Sequence, residues 1–238
     1  MLCTTGDADN RQLTYLQALR DKRVDGLIVM TAQSGPEFLQ ALARQPLPTV
    51  LMDAAPPGGD DIAVVNDDSC LGARLAIGHL LERGLEDIAL LTGPVSHPRS
   101  SERLAGALAA LDAAGIRPRP SRVIATNLLA DGGYDAMRRL LKRRPCPQAL
   151  FAFNDLVAIG AMRAAREQGL TLPDDLSVVG YDDIELGSYL SPALTTVQQP
   201  IYEIGTMAST QLIERLEHRR PLQRLLELAP RLVVRESV

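Results

Sequence analysis

The chain has 238 residues, of which 46% are hydrophobic and 23% charged, a balance typical of a folded globular protein rather than a disordered one. Its formal net charge of −4 and pI of about 5.4 argue against nucleic-acid binding by this segment itself, because DNA affinity depends on clustered Lys and Arg. No stretch approaches the roughly 20 apolar residues of a membrane span, and the N-terminus lacks a secretion signal, so we expect a cytoplasmic protein with no membrane contact.

In chain order, short apolar runs alternate with longer amphipathic stretches from end to end. Strands are predicted over residues 24–30, 48–52, 62–66, 87–92, 122–126, 148–153 and 176–181. Helices, with apolar residues at spacings of three and four, are predicted over residues 8–22, 35–44, 70–83, 101–114, 132–144, 155–168 and 201–218. This alternation is typical of βαβ units, so the sequence predicts an α/β fold with a mainly parallel sheet.

Several predicted helices carry residues that start or stop a helix. Gly84, Gly115 and Gly169 each follow a predicted helix, where a left-handed residue commonly ends the last turn. Asn154 and Ser100 are predicted N-caps, since their side chains can accept hydrogen bonds from the free amides of a first turn.

Turn-rich segments mark the predicted loops at residues 53–61, 93–100 and 182–196. The chain opens with LCTT, which resembles the end of a strand and leads directly into a helix. A strand–helix unit is therefore expected to precede it.

Signatures of common enzymes and metal sites are absent from the sequence. It contains no GxSxG, GxxxxGK[ST], GxGxxG or HExxH motif, so we predict no cofactor and no catalytic residue of those classes. Its three histidines are far apart, which argues against a metal site. Cys3, Cys70 and Cys146 are isolated, and we interpret them as buried, inert thiols in a reducing compartment.

Polar residues follow four of the apolar strand segments, at the edge where open α/β sheets bind ligands. These pairs are Asp67-Asp68, Asn154-Asp155, Asp182-Asp183 and Gln198-Gln199. Arg103 lies in the predicted helix after the Gly93-Pro94 loop. Carboxylates, amides and a guanidinium together can saturate sugar hydroxyls, which both donate and accept hydrogen bonds.

Each of these residues also has a purely structural interpretation. Asn154 can be only a helix cap, Asp182 can be a turn former, and Gln199 can be a solvated strand end. Arg103 shares its helix with Glu102 and can belong to an exposed charge pattern. Phe151 alternates with Phe153 along one strand, so the two rings share a face that is commonly core.

Longer segments of the sequence resemble one known family. The runs VDGLIVM (24–30), GLEDIALLTGP (84–94) and ERLAGALAALDAAGI (102–116), the long segment 149–205 that contains FAFND, GYDD and TTVQQ, and PRLVVRES (230–237) are similar to the effector-binding domain of LacI-type repressors. This resemblance covers nearly the whole chain.

The resemblance implies a periplasmic-binding-protein-like fold of two doubly wound lobes, with the effector in the cleft between them. One lobe would comprise residues 1–67 with 199–226 and the other 68–198 with 227–238, with crossovers near Asp67, Gln198 and Leu226. It also implies that Arg103, Asn154, Asp182 and Gln199 bind the effector, that Phe151 packs against its ring, and that Asp67 faces the cleft.

The family further implies a homodimer that binds operator DNA through a helix-turn-helix domain not present in this segment. Purine-sensing members carry a particular Arg and Thr where this chain has His97 and Arg99, so we expect a sugar or nucleoside effector. Two alternatives stay open. One is a transport-type sugar-binding protein of the same fold, and the other is a sugar- or nucleoside-processing enzyme with Asp182 or Asp67 as base.

Overall fold

The computed structural model describes residues 9–31, 36–45, 47–56, 61–143 and 145–238. The chain divides into two compact units, which it enters alternately: unit 1 comprises Met1–Asp67 and Pro200–Leu228, and unit 2 comprises Asp68–Gln199 and Ala229–Val238. Gln199 therefore belongs with unit 2, and residues 227–228 with unit 1, which places two of the crossings one and two residues later than the sequence suggests.

Helices and strands alternate as the sequence predicts. Up to the first crossing they are α1 (Asp9–Asp21), β1 (Leu27–Met30), α2 (Pro36–Ala43), β2 (Thr49–Met52) and β3 (Ile62–Asp67). They continue with α3 (Ser69–Glu82), β4 (Ile88–Thr92), α4 (Pro98–Ala113), β5 (Val123–Ala125), α5 (Ala130–Leu141), β6 (Ala149–Ala152), α6 (Asp155–Glu167), β7 (Ser177–Asp182), α7 (Glu185–Ser188) and β8 (Thr195–Gln198). The last are α8 (Ile201–His218), β9 (Leu225–Leu228) and β10 (Arg231–Val233).

Unit 1 is built on a four-stranded parallel sheet in the order β1-β2-β3-β9. Because side chains alternate along a strand, the neighbours Val50 and Leu51 of β2 enter different cores. Leu51 packs with residues of α1 and α2, whereas Val50 packs with Ile204 and Ala208 of α8. The sheet is thus covered by helices on both faces.

Unit 2 is built on a six-stranded sheet in the order β10-β8-β7-β6-β4-β5, parallel except for β10, which runs antiparallel to β8. Its two faces also carry separate cores. Leu150 of β6 packs with α5 and α6, and Phe151 packs with α3 and α4. The predicted α/β fold with doubly wound parallel sheets is confirmed.

Helices pack closely enough in unit 2 to require glycine at the contacts. A Cβ on Gly106 of α4 would lie 2.2 Å from the carbonyl oxygen of Cys70 in α3. A Cβ on Gly160 of α6 would lie 1.8 Å from the carbonyl oxygen of Ala130 in α5. The backbones of α3 and α4, and those of α5 and α6, are therefore in direct contact.

The C-terminal segment is bonded into the sheet of unit 2. Ser237 is fully buried, its Oγ accepts a hydrogen bond from the Thr195 amide at 2.8 Å, and it donates one to the Val178 carbonyl at 2.6 Å. The last residues thereby connect β7 with β8.

Some local predictions are confirmed and others are corrected. The three helix-ending glycines all have positive φ, from +74° to +81°, and Asn154 caps α6. Ser100 is not an N-cap: α4 begins at Pro98, whose fixed φ favours a first helical position, and His97 precedes it as the cap residue. The predicted loop 182–196 contains α7 and the start of β8.

Other predictions concern the termini and the cysteines. The LCTT strand end and Cys3 lie outside the described residues. Cys70 and Cys146 are each half-buried rather than fully buried as predicted. No helix among the described residues is long and apolar enough to cross a membrane.

Candidate functional site

The candidate site lies at the carboxyl ends of the parallel strands of unit 2. β6 ends at Ala152 and β7 at Asp182, and in β8 Gln198 is the register partner of Asp182. α4 passes over the same edge and carries Arg103. Since the ends of adjacent parallel strands meet at one sheet edge, residues far apart in sequence come together there.

Arg103 is 7% exposed, and its guanidinium group is held from several sides. Nε donates to Ser69 Oγ at 3.3 Å, and Nη1 donates to the Phe153 carbonyl oxygen at the end of β6. Cζ lies 3.6 Å from the centroid of the Tyr181 ring, a cation–π contact. These contacts fix the orientation of the group, and the interpretation as an exposed surface charge is wrong.

Asp182 pairs with this guanidinium group. Its Oδ1 lies 3.7 Å from Arg103 Nη2 and accepts a hydrogen bond from Gln199 Nε2 at 2.6 Å. The backbone of Asp182 has φ of +109°, and Asp183 has φ of +60°. Residues other than glycine rarely adopt positive φ values, and strained backbone of this kind clusters at ligand sites. Three of the predicted binding residues thus form one connected cluster, Arg103–Asp182–Gln199.

A second set of bonds supports the turn that follows β7. Asp183 accepts hydrogen bonds from Arg235 Nη2 and from Gln198 Nε2, each at 2.6 Å. Arg231 Nε in turn donates to Gln198 Oε1 at 2.6 Å. In the strand order, β10 and β4 lie on opposite sides of β7, and α4 follows β4. The turn after β7 is therefore held on one side by β10 and the segment after it, and on the other side by Arg103 of α4.

Asn154 has both ends of its side-chain amide occupied within unit 2. Oδ1 accepts from the Val157 amide at 2.8 Å, and Nδ2 donates to the Leu128 carbonyl at 2.8 Å. This is the helix-cap arrangement, with a second bond that ties α6 to the loop before α5. Asn154 remains half-exposed and follows Phe153, whose carbonyl oxygen bonds to Arg103.

The remaining two predicted residues lie elsewhere. The ring of Phe151 is fully buried in the core beneath α3 and α4, 5.2 Å from that of Phe153, so the structure places it in the core rather than on a ligand-facing surface. Asp67, at the end of β3, is 1% exposed and belongs to unit 1.

His97 and Arg99, the two positions at which a difference from purine-sensing members is expected, flank the start of α4. Arg99 is 2% exposed and forms an ion pair with Glu102. Arg99 and Arg103 are four residues apart, so they share a helix face.

Two further side chains of this region are not singled out by sequence motifs alone. Tyr181, fully buried, supplies the ring beneath Arg103. Asp155 is also fully buried, and burial raises the pKa of its carboxyl group to about 7, with a smaller contribution from the charges of Asp182 and Asp183. The sequence places Asp155 in one of the four polar pairs at the sheet edge, but an acidic residue at the first position of a helix is common, so its burial is not predicted.

The cluster combines hydrogen-bond donors with an acceptor. Its groups offer guanidinium and amide donors beside a carboxylate acceptor, the combination that polar hydroxyl-rich ligands require. Within the described ranges, His, Cys, Asp and Glu side chains form no group able to hold a metal ion.

Comparison with known proteins relates this geometry to a family. Residues 77–238 match the model of a periplasmic binding protein-like domain. The chain is 38% identical to the HTH-type transcriptional repressor PurR of Edwardsiella ictaluri over 239 residues, covering 100% of this chain and 70% of the relative. It is also 38% identical to the ribose operon repressor of Escherichia coli K12 over 238 residues, covering 100% of this chain and 72% of the relative.

A solved complex of the transcriptional regulator CelR with cellobiose superimposes with a TM-score of 0.90 at 31% identity, covering 97% of this chain and 71% of that one. The chain belongs to the LacI family of transcriptional repressors. Within this LacI-family chain, the matched domain contains all the predicted site residues except Asp67.

Proposed function

We propose that this chain is the sensing part of a repressor whose effector is a sugar or a nucleoside, and that effector occupancy changes the affinity of the repressor for its operator. The observation that carries the proposal is the Arg103–Asp182–Gln199 cluster at the ligand-binding edge of a LacI-family domain. Asn154, which follows β6 in unit 2, is proposed to complete the site.

The chemistry of the cluster favours an uncharged, hydroxyl-rich ligand. The positive charge of Arg103 is balanced by Asp182, and that of Arg99 by Glu102. A hydroxyl group can accept from the guanidinium group and donate to the carboxylate at the same time. A ligand that satisfies these groups is preferred over an analogue without the hydroxyl, because the analogue would leave buried polar groups unpaired.

The relatives support a carbohydrate. One is named a ribose operon repressor and one structural neighbour is a complex with cellobiose. The identities to that repressor and to PurR are both 38% and do not separate their ligands. The preference for a sugar or nucleoside therefore depends on the resemblance, which implies an Arg and a Thr in purine-sensing members where this chain has His97 and Arg99.

Coupling to DNA is proposed to follow from unequal affinity of the effector for two conformations, since only such a difference can shift their populations. Operator contacts would come from a helix-turn-helix module of the kind for which the PurR relative is named. A repressor of this kind would act in the cytoplasm.

We infer that the chain is not an enzyme. Asp182, the residue best placed to act as a base, is engaged by Gln199 and paired with Arg103. Both interactions use the same oxygen, Oδ1, which is therefore already occupied by donors. The transport-type binding protein of the same fold is less well supported, because the similar proteins reported above are regulators.

A thermal-shift panel of D-ribose, cellobiose, adenosine and hypoxanthine tests the effector class. A ligand at about a hundred times its Kd stabilises the folded chain by about 2.7 kcal/mol, which for a chain of this size raises the Tm by about 5–10 °C. We expect a sugar or the nucleoside to do this and hypoxanthine to have no effect. A shift with hypoxanthine alone, or chromatographic evidence that a panel compound is converted, contradicts the proposal.

We further propose that the chain forms a two-fold homodimer, because paired DNA-binding modules on a palindromic operator require a two-fold axis. Unit 2 carries exposed apolar side chains just before α5, near the start of α6, and on α7 and directly after it, which together are called the apolar patch. These segments adjoin, since Gly160 of α6 packs on Ala130 and Asp155 binds the Ile184 amide. The patch consists of Leu129, Leu156, Leu186 and Tyr189, between 38% and 75% exposed.

Charge placed in this apolar patch is expected to break the dimer. Leu186→Asp with Tyr189→Asp should shift sedimentation from dimer to monomer, since each change places a carboxylate in an apolar contact. Val95→Asp is the control, because Val95 is 81% exposed in the same unit and lies outside the patch. An unchanged dimer in the double variant would contradict this choice of interface.

A further inference from the structure

A second carboxylate lies beneath the candidate site without belonging to it. Asp155 is 0% exposed at the first position of α6, next to the cap residue Asn154. The proposed ligand contacts do not use it. A buried carboxylate is costly unless hydrogen bonds compensate the lost hydration, so the partners of Asp155 indicate what it holds together.

Its two oxygens bond to two different segments. Oδ2 accepts from the Ile184 amide at 2.9 Å, and Oδ1 accepts from Thr196 Oγ1 at 2.6 Å. Ile184 directly follows Asp182 and Asp183, and Thr196 lies in β8, three residues before Gln199. One side chain thus joins the segments that supply Asp182 and Gln199.

The space for this carboxylate is provided by a glycine in β7. A Cβ on Gly180 would lie 2.1 Å from Asp155 Oδ1, so only glycine admits the carboxylate at this position. The sheet is therefore shaped locally around the Asp155 side chain.

The turn held by Asp155 contains strained backbone. Asp182 and Asp183 both have positive φ, and such backbone persists only where surrounding contacts hold it in place. The bond from the Ile184 amide is the contact immediately after the strained pair.

Asp155 is faced by groups from β7 and its turn, from β8 and from the start of α7. From the end of β7 and its turn these are Asp182 and Asp183, which contact Arg103 and Arg235 respectively. From β8 the hydroxyl of Thr196 faces it, and from the start of α7 the Ile184 amide, both uncharged.

We propose that Asp155 is a positioning residue of the effector site: by holding Ile184 and Thr196 it sets the relative placement of Asp182 and Gln199. This inference rests on the proposed function for its effect on binding. The ionised carboxylate accepts both bonds, whereas protonation turns one oxygen into a donor and removes an acceptor. Because burial raises the pKa of Asp155 to about 7, effector affinity falls as the pH is lowered from 8 to 6.

The test measures affinity by titration calorimetry between pH 6 and 8, with D-ribose as the first probe and the other three panel compounds after it. Loss of one net hydrogen bond corresponds to a weakening of about three- to tenfold. We expect the wild-type chain to lose that factor toward pH 6. Asp155→Asn should be weaker at pH 8 and should no longer depend on pH in this range.

Thr196 provides a matched pair that leaves Asp155 in place. Thr196→Val removes one bond to Asp155 and should weaken binding at pH 8, whereas Thr196→Ser restores the hydroxyl and should recover wild-type affinity. Wild-type affinity and the same pH profile in Asp155→Asn, or equal affinities of the Val and Ser variants, would overturn the proposal.

A readout without ligand separates this inference from the proposed function. Hydrogen exchange of the Ile184 amide should be faster in Asp155→Asn at pH 8 than in the wild-type chain, after correction for intrinsic rates. If no panel compound binds the wild-type chain, the proposed function fails while faster exchange still supports the positioning role. Unchanged exchange overturns that role whatever the ligand results.

Discussion

Arg103→Ala is expected to weaken effector binding by a factor between about thirty and several thousand, because truncating a buried, hydrogen-bonded charged group at a binding site costs about 2–5 kcal/mol. The variant removes a donor to the ligand and leaves Asp182 without the cation 3.7 Å away. It also removes the bonds to Ser69 and to the Phe153 carbonyl. Titration calorimetry with the panel compound that stabilises the wild-type chain measures the effect.

Arg122→Ala is the matched control for this experiment. Arg122 is 3% exposed, comparable with Arg103, and its guanidinium group pairs with Asp87 and the Pro145 carbonyl at the amino end of the sheet. Its replacement should lower the Tm but leave effector affinity within about twofold, since distant sites act independently. Unchanged affinity in Arg103→Ala, or equal losses in both variants, would contradict a binding role for Arg103.

Gly160→Ala is expected to lower the free energy of unfolding by about 1–3 kcal/mol or more, as overpacking of a tight core does. The added Cβ would lie 1.8 Å from the Ala130 carbonyl oxygen and 2.9 Å from the Tyr134 amide nitrogen, both backbone atoms. The methyl group can therefore be accommodated only if α5 and α6 separate. Urea unfolding followed by circular dichroism measures the change.

Gly78→Ala provides the opposite expectation from the same substitution. Gly78 lies within α3, and no atom lies within 4 Å of an added Cβ. Alanine is favoured over glycine in a helix by about 1 kcal/mol, so this variant should be as stable as the wild-type chain or more stable. Similar unfolding midpoints for the two variants would mean that α5 and α6 are not in backbone contact.

The sequence predicts best those helices and strands that carry a regular pattern of apolar residues. Alternating apolar runs and amphipathic stretches predict both sheets and their helices, because periodicity reports which faces are buried. The shared edge of parallel strand ends makes Asp182 and Gln199 candidates, but it was the resemblance to LacI-type repressors that implied that Arg103, Asp182 and Gln199 bind one ligand. Short edge strands such as β9 and β10 carry too few residues for a clear pattern.

The roles of individual buried residues were harder to predict. The alternation of Phe151 with Phe153 favours a core position, but both faces of the unit 2 strands are apolar, so the sequence does not indicate which of the two cores the rings enter. From the sequence, Asn154 can be either a helix cap or a ligand contact, and only its bonds to Val157 and Leu128 identify the cap. Asp155 depends on Thr196, 41 residues away, a pairing that only the folded chain reveals.

The burial of Ser237 has a practical consequence for anyone who attaches a reporter or purification tag to this chain. A fusion joined directly after Val238 would begin one residue beyond a side chain that is completely enclosed and bonded to two strands. Exposed loop tips tolerate added sequence far better than such enclosed backbone. A tag at that end needs a flexible spacer to leave the sheet edge undisturbed.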